Sequence, residues 1–112
     1  MEISNAVSAL SALAQESRLE IFRLLVQAGE AGIPAGKIGE QLELPLSTLS
    51  FHLNQLKQAG LINCRRESRT LFYSANYDSM TALMAYLTEN CCQGQPENCA
   101  VPAACVPEDK ME

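Results

Sequence analysis

The segment between Pro45 and Gly60 limits the fold of this 112-residue chain more than any other part of the sequence. Apolar residues recur in it at helical spacing, as Leu49, Leu53 and Leu56, and most of the residues between them are polar. Proline is a residue that opens helices, and glycine is one that ends them. We therefore predict a helix with one buried and one exposed face, capped by the Ser-Thr pair near its start.

The elements on either side of this helix indicate the fold. A shorter helix precedes it, with Pro34 in its first turn and Gly39 as a weak point. Two short strands follow it at once, Leu61–Glu67 and Thr70–Asn76, joined by the turn Ser68-Arg69. Two helices in close succession and then a β-hairpin predict a winged helix-turn-helix, in which the hairpin is the wing.

Three further helices complete the predicted order. The first spans about 4–15, with Asn5 near its cap. The second begins at Ser17, which forms a capping box with Glu20. The last spans about 77–90 and follows the hairpin. The predicted fold is therefore mainly α with a β-hairpin wing, an α+β class in the order α-α-α-α-β-β-α.

The composition excludes several classes of protein. Apolar residues make up 47% of the chain and charged residues 19%, an ordinary globular mixture. No stretch approaches the roughly 18 consecutive apolar residues of a membrane helix. Residues 1–5 lack the basic and apolar regions of a signal peptide, so we expect a cytoplasmic protein. We find no nucleophile–base pair and no phosphate loop, so we do not expect an enzyme. Residues 1–92 form the predicted domain, and 93–112 form a cysteine-containing C-terminal tail.

The exposed face of the helix after Pro45 carries short hydroxyl and amide side chains. Such groups can hydrogen-bond to base edges or phosphates, so we predict a DNA-recognition helix. Its predicted DNA contacts are Ser47, Thr48, Ser50, Phe51 and Asn54. The ring of Phe51 could pack on a thymine methyl group or equally touch the wing. We interpret His52, beside the leucines, as a structural residue rather than a DNA contact or a metal ligand.

The charge of the chain is unevenly distributed. The net charge of -5, taken alone, argues against a nucleic-acid partner. Residues 47–72 nevertheless hold four cations against Glu67, a local charge of +3. Because phosphate attraction is screened within about 8–10 Å, a basic helix and wing can bind DNA on an acidic body. We therefore predict Arg65, Arg66 and Arg69 as phosphate or minor-groove contacts, the alternative being a solvated charged hairpin.

The terminal helices and the modest basic patch both bear on oligomeric state. A local charge of +3 per chain suggests that two copies act together on a two-fold operator. The first helix carries an apolar stripe with Ile3, Val7 and Leu10, and the last carries Met84 and Leu87 on another. These stripes could simply pack on the core. We instead predict a homodimer through the first and last helices, bound to double-stranded operator DNA and to no membrane.

Five cysteines are present, and four of them lie in the last 22 residues. Adjacent cysteines such as Cys91 and Cys92 seldom pair with each other, so their thiolates can converge with Cys99 on one soft centre. Zinc would need a fourth ligand, whereas three sulfur atoms suit a pyramidal As(III) or Sb(III) ion. Cys105 could be a fourth ligand or a spare, and a secreted disulfide framework is the alternative. We interpret Cys64, in the first wing strand, as a small buried hydrophobe rather than a ligand.

Two runs of the sequence resemble the ArsR/SmtB family of metal-sensing repressors. Residues 46–62 are similar to that family's S-x-H-L-x-x-L-x-x-A-G-L-[IV] motif. Residues 13–25 are similar to its L-[AS]-x-x-x-R-L-x-I-[FL]-x-L-L motif, and the likeness covers about residues 5–92. The resemblance implies a homodimeric winged-helix repressor that leaves its operator when an inducer binds.

The departures from the family pattern indicate a subtype. Many arsenic sensors carry C-x-C in the helix before the recognition helix, but Lys37–Leu42 contains no cysteine. The zinc-sensing branch uses histidine on the last helix, and Tyr77–Glu89 contains none. The chain is more similar to arsenite-responsive members with a C-terminal three-thiol site. That likeness implies Cys91, Cys92 and Cys99 as As(III) ligands in the repressor of an arsenic-resistance operon, the alternative being a thiol redox or other soft-metal sensor.

Overall fold

The computed structural model describes residues 1–94. The elements are α1 (Ile3–Leu13), α2 (Glu16–Ala28), β1 (Ile33–Pro34), α3 (Ala35–Leu42), α4 (Leu46–Gln58), β2 (Ile62–Glu67), β3 (Thr70–Ala75), α5 (Tyr77–Leu87) and α6 (Cys91–Gly94). The predicted winged helix-turn-helix order is confirmed, with β1 and the short α6 as additions. Within this range no helix is long and apolar enough to span a bilayer. The predicted ligand Cys99 and the possible fourth ligand Cys105 lie outside the described residues.

The buried face of α4 forms the centre of the core. Leu49 and Leu56 are fully buried and Leu53 nearly so, as the spacing predicted. Ile21 and Leu25 of α2 are also fully buried and complete this packing. Each such side chain contributes about 1.5–3 kcal/mol relative to exposure, so α4 is held firmly against α2.

The small sheet is antiparallel throughout, in the order β1-β3-β2. The wing is the β2–β3 hairpin, in which Glu67 pairs with Thr70, and Ser68 in the turn has a φ of 58°. The third strand, β1, pairs with β3 and was not predicted. A Cβ on Gly32 would lie 2.8 Å from the carbonyl oxygen of Tyr73, and its φ is 84°. Glycine at this position is therefore what lets β1 approach β3.

Helix α1 packs through its small side chains. Ala6, Ala9 and Ala12 are buried against the core. The larger Val7 and Leu10 are exposed, by 55% and 43%. The predicted amphipathic helix is thus present, but its large aliphatic stripe faces away from the core and the alanines let the helix approach closely.

Several predicted helix caps are wrong. The residue before α1 is Glu2 rather than Asn5, and its side chain makes no capping bond. Helix α2 is capped by the Gln15 side chain, which accepts from the backbone N–H of Arg18, so Ser17 lies in its first turn. The Ser-Thr pair of α4 also lies inside the helix, because Pro45 occupies the N-cap position.

Candidate nucleic-acid interface

The predicted DNA contacts on α4 share one exposed surface. All five lie away from the buried leucines: Ser47, Thr48, Ser50, Phe51 and Asn54. None of them caps the helix, so their hydroxyl and amide groups face solvent. We call α4 the recognition helix on this basis, and contact of these residues with bases stays a prediction.

Phe51 lies where the recognition helix meets the wing. Its ring is 56% exposed, and its centroid is 5.6 Å from that of His52. Phe51 and Asn54 line an open cleft with Lys57 and with Tyr73 of β3. The two interpretations of Phe51 are therefore compatible, because a ring in this cleft is near the wing and is also open to a DNA base. In the sequence pattern Lys57 contributes only to the local positive charge and Tyr73 has no predicted role, because the packing that brings β3 near α4 depends on the tertiary structure.

The wing arginines differ in how much of their charge is engaged. Arg65 Nε donates to a carboxylate oxygen of Glu67 at 2.8 Å, and its guanidinium lies 5.0 Å from the centre of the Phe72 ring. Both members of this ion pair are exposed, so it contributes little to stability and a phosphate can compete for Arg65. Arg66 and Arg69 are exposed and form no ion pair with other described residues. The wing therefore presents net positive charge.

His52 is buried, and it is structural as predicted. Its Nδ1 lies 3.3 Å from an Nη1 of Arg18, a residue of α2. Burial lowers the pKa of His52 below its ordinary value of 6.5, and the positive charge of Arg18 lowers it further. Neutral His52 therefore accepts a hydrogen bond from Arg18.

Cys64 contacts the aromatic side of the wing. It lies opposite Tyr73 in the β2–β3 register, and it is half-buried, whereas the sequence predicted a buried side chain. Burial raises the pKa of Tyr73, and a hydrogen bond with Cys64 raises it further. Cys64 thus packs as a small side chain in the wing, and β3 and α5 separate it from Cys91, 27 residues later in the sequence.

The adjacent cysteines follow the end of α5. The hydroxyl of Thr88 donates to the carbonyl oxygen of Met84 at 2.8 Å, and Cys91 N–H donates to the carbonyl oxygen of Thr88 at 2.9 Å. Asn90 and Cys92 both have left-handed backbone, with φ of 58° and 55°, so the chain turns sharply here. The Sγ atoms of Cys91 and Cys92 are 3.6 Å apart. Residues 1–94 contain no group of three or more metal-ligating side chains, and the third predicted ligand lies outside them.

Apolar side chains remain uncovered on the two terminal helices. Ile3 and Val7 are 68% and 55% exposed on α1, and Leu87 is 57% exposed on α5. An apolar groove of about 330 Å³ also runs between α2 and α5, with Phe22 and Met84 among its lining residues. Exposed aliphatic groups in such a patch are typical of an interaction surface.

Comparisons with known proteins agree with this geometry. A helix-turn-helix domain family matches residues 13–65. The transcriptional activator HlyU of Vibrio cholerae is 36% identical over 90 residues, which are 80% of this chain and 81% of HlyU. A solved structure of that HlyU superimposes with a TM-score of 0.65 and 36% identity, covering 83% of this chain and 100% of the other. Its reduced form has also been solved, with a TM-score of 0.62 and 34% identity over 80% of this chain and 92% of that one.

Two further relatives bear on assembly and on ligand. The homodimeric winged helix-turn-helix DNA-binding domain of Mb0332 from Mycobacterium bovis is 27% identical, with a TM-score of 0.64 over 83% of this chain and 86% of that domain. A Halobacterium salinarum protein, proposed to be the arsenical resistance operon repressor ArsR, is 34% identical over 79 residues. These residues are 70% of this chain and 60% of the Halobacterium protein.

Proposed function

The chain belongs to the ArsR/HlyU type of winged helix-turn-helix transcriptional regulators, and on this premise we propose that it is a homodimeric repressor of an arsenic-resistance operon, released from DNA by As(III) or Sb(III). The observation that carries the proposal is the pair of sulfur atoms 3.6 Å apart, just after α5. Regulators of this type bind DNA, so the inducer is the part that goes beyond the family.

The DNA-binding part of the proposal depends on the recognition helix and the wing. The exposed hydroxyl and amide groups of α4 supply donors and acceptors for base edges in the major groove. Arg66 and Arg69 supply phosphate contacts, and Arg65 joins them when a phosphate displaces Glu67. Within residues 1–94, the acidic side chains other than Glu67 lie outside the recognition helix and the wing, so screening at physiological salt keeps them from cancelling this local attraction.

The part of the proposal that concerns the dimer depends on α1 and α5. The exposed aliphatic stripe of α1 and the exposed Leu87 of α5 are not covered by any other part of residues 1–94. Pairing two copies through these helices would bury the stripes and place two recognition helices for two half-sites. Mb0332, which is 27% identical to this chain, is a homodimer of the same fold.

The part of the proposal that concerns the ligand depends on the donor chemistry of the cysteines. A central atom with bonds of about 2.3 Å, the zinc–thiolate length, reaches two sulfur atoms up to about 4.6 Å apart. The Cys91 and Cys92 sulfur atoms fall within that limit. Thiolates select soft ions, and As(III) supplies a neutral hydroxide whose three hydroxyl groups exchange for three thiols with release of three waters. We propose Cys99 as the third ligand.

Release of DNA requires a difference in inducer affinity between two conformations. A 100-fold release corresponds to about 2.7 kcal/mol of coupling between the thiol site and the DNA face. Helix α5 ends beside Cys91 and also packs on α1, the other proposed dimer helix. Constraining the chain after α5 can therefore alter the relative orientation of the two protomers. The two recognition helices would then change their spacing and angle as well.

Cysteine-to-serine variants test the proposal. A duplex of about 30 base pairs, long enough for two half-sites, is first selected from a random library by its binding to the protein. Fluorescence anisotropy then follows the release of this duplex from the protein when sodium arsenite is added. A phosphine reductant keeps every thiol reduced without offering a competing dithiol. We expect arsenite to release wild type, Cys64→Ser and Cys105→Ser, but not Cys91→Ser, Cys92→Ser or Cys99→Ser. Full release of Cys92→Ser by arsenite would show that the proposed site is wrong.

A thiol redox sensor is the second candidate. The thiol of Cys91 or Cys92 is the candidate reactive group, since peroxide oxidises a thiol to a sulfenic acid and its second oxygen leaves as water. HlyU, to which this chain is similar, has been solved in a reduced form, which is a reason to test the effect of redox state on the DNA binding of this chain. Replacing arsenite by peroxide in the same anisotropy assay separates the two candidates. Release by peroxide together with no release by arsenite under reduction would favour redox sensing.

A further inference from the structure

Arg18 joins three elements at the back of the recognition helix. Its Nε donates to the carbonyl oxygen of Ala12, at the end of α1, at 2.7 Å. Its backbone N–H donates to the side chain of Gln15, which caps α2. Its Nη1 lies 3.3 Å from Nδ1 of His52 on α4. The guanidinium of Arg18 therefore links the first helix to the recognition helix, and its backbone N–H is part of the cap of α2.

Among the described residues, no carboxylate forms an ion pair with Arg18. The ion pair found in the described part of the chain joins Arg65 to Glu67, and both of these residues lie in the wing. The cavity next to Arg18 is lined by neutral polar side chains of α1 and α4, namely Ser8, Ser11, Gln55 and Gln58. Arg18 thus directs its side-chain hydrogen bonds to a carbonyl oxygen at the end of α1 and to an imidazole rather than to a carboxylate.

The position of His52 in α4 makes this link relevant to DNA. His52 follows Phe51 directly and precedes Asn54 by two residues, and both of these neighbours belong to the exposed face. A buried side chain held at its ring nitrogen fixes the rotation of the helix about its axis. Rotation of α4 would move every predicted base contact together, and displacements of about 1 Å are large for directional recognition.

We propose that Arg18 is a positioning residue for DNA binding, which sets the orientation of the recognition helix against α1 through His52. Arg18 touches no DNA in this role. The proposal depends on the DNA binding that the family gives and not on the arsenite site, because it concerns the protein without inducer. It also gives a route by which a change in the pairing of α1 would reach α4.

Four variants test the proposal by anisotropy, without arsenite, on the duplex selected by wild type and on a scrambled duplex. Arg18→Met removes the hydrogen bonds, and Arg18→Lys keeps the charge but cannot hold both acceptors. Arg23→Met is the control, because Arg23 is exposed on the same helix and its loss changes the net charge equally. We expect Arg18→Met to lower affinity for the selected duplex about tenfold and Arg23→Met less than about threefold, with similar small effects of both on the scrambled duplex.

His52→Gln supplies a readout that a purely structural role would not move. His52 is the single histidine of the chain, and Arg18 of α2 is the charged group among the described residues that acts on its pKa. The cavity next to Arg18 adds only neutral side chains of α1 and α4. Protonated His52 cannot accept from Arg18, so wild-type affinity should fall as the pH decreases below 6.5, the ordinary histidine value that burial lowers. A glutamine oxygen can accept at every pH, so His52→Gln should bind well at pH 7.5 and lack that fall.

Circular dichroism melts establish that each variant is folded at the assay temperature. If Arg18→Met does not fold, Arg18→Lys decides, with an expected loss of several-fold for the selected duplex. Folded Arg18 variants that bind the selected duplex as well as Arg23→Met would overturn the proposal. Identical pH profiles of wild type and His52→Gln would overturn it as well.

Discussion

Glu67 is the one acidic side chain among residues 47–72, and it holds Arg65 at 2.8 Å. We expect Glu67→Gln to strengthen DNA binding about two- to fivefold, because it removes a negative charge and frees a guanidinium for phosphate. The slope of log affinity against log salt should steepen by up to about 0.9, the value for one added phosphate contact. Anisotropy titrations across a salt series measure both, and Glu30→Gln, outside the wing, is the charge-matched control. Equal slopes for the two variants would mean that Arg65 does not reach DNA.

At the scale of single residues, the sequence predicted burial better than it predicted hydrogen-bond partners. The leucines of α4 and the structural role of His52 follow from helical spacing, which depends only on neighbours along the chain. The caps failed because Ser17 competes with Gln15, whose longer side chain reaches the N–H of Arg18 only in the folded turn. The partner of His52 lies 34 residues away, so no local pattern could identify it.

At the scale of elements, β1 is the feature whose stability can be tested most cleanly. We expect Gly32→Ala to lower the free energy of unfolding by about 1–3 kcal/mol, because its φ of 84° disfavours a side chain and the new Cβ would meet the Tyr73 carbonyl oxygen. Gly36→Ala is the matched control, since nothing lies within 4 Å of its Cβ position and it is helical. It should be neutral or stabilise by up to about 1 kcal/mol. Urea unfolding measures both, and equal effects would contradict the role assigned to β1.

Helices and hairpin were predictable at this scale because each has a period of its own. The strand boundaries agree with the predicted ones within about one residue, which is the usual uncertainty of element ends. Strand β1 has two residues, one of them Pro34, and so carries no period. The inward face of α1 was also not predictable, because both its alanines and its large aliphatics recur at helical spacing and only the rest of the fold decides between them.

At the scale of the whole molecule, the distribution of charge matters more than its sum. The residues outside 47–72 together carry a charge of -8, and the +3 of residues 47–72 lies on the recognition helix and hairpin. This organisation was readable from the sequence because charge is additive along the chain. The proposed thiol site could be predicted from the sequence only as a set of candidate cysteines, since Cys91 and Cys92 are placed by the turn after α5 and Cys99 lies outside the described residues.

Assembly is the property of the whole molecule on which the proposed repressor depends, and Val7 offers a direct test. Val7 lies in the middle of the exposed stripe of α1, between Ile3 and Leu10. We expect Val7→Glu to raise the dimer dissociation constant at least about 100-fold, because a two-fold interface would bury the new carboxylate twice. Sedimentation velocity measures the dissociation constant, and circular dichroism checks that the monomer stays folded. Leu71→Glu, the same kind of change on the exposed wing, should leave the dimer intact. A Val7→Glu protein that dimerises like Leu71→Glu would place the interface elsewhere, and the proposed arrangement of the two recognition helices would be wrong with it.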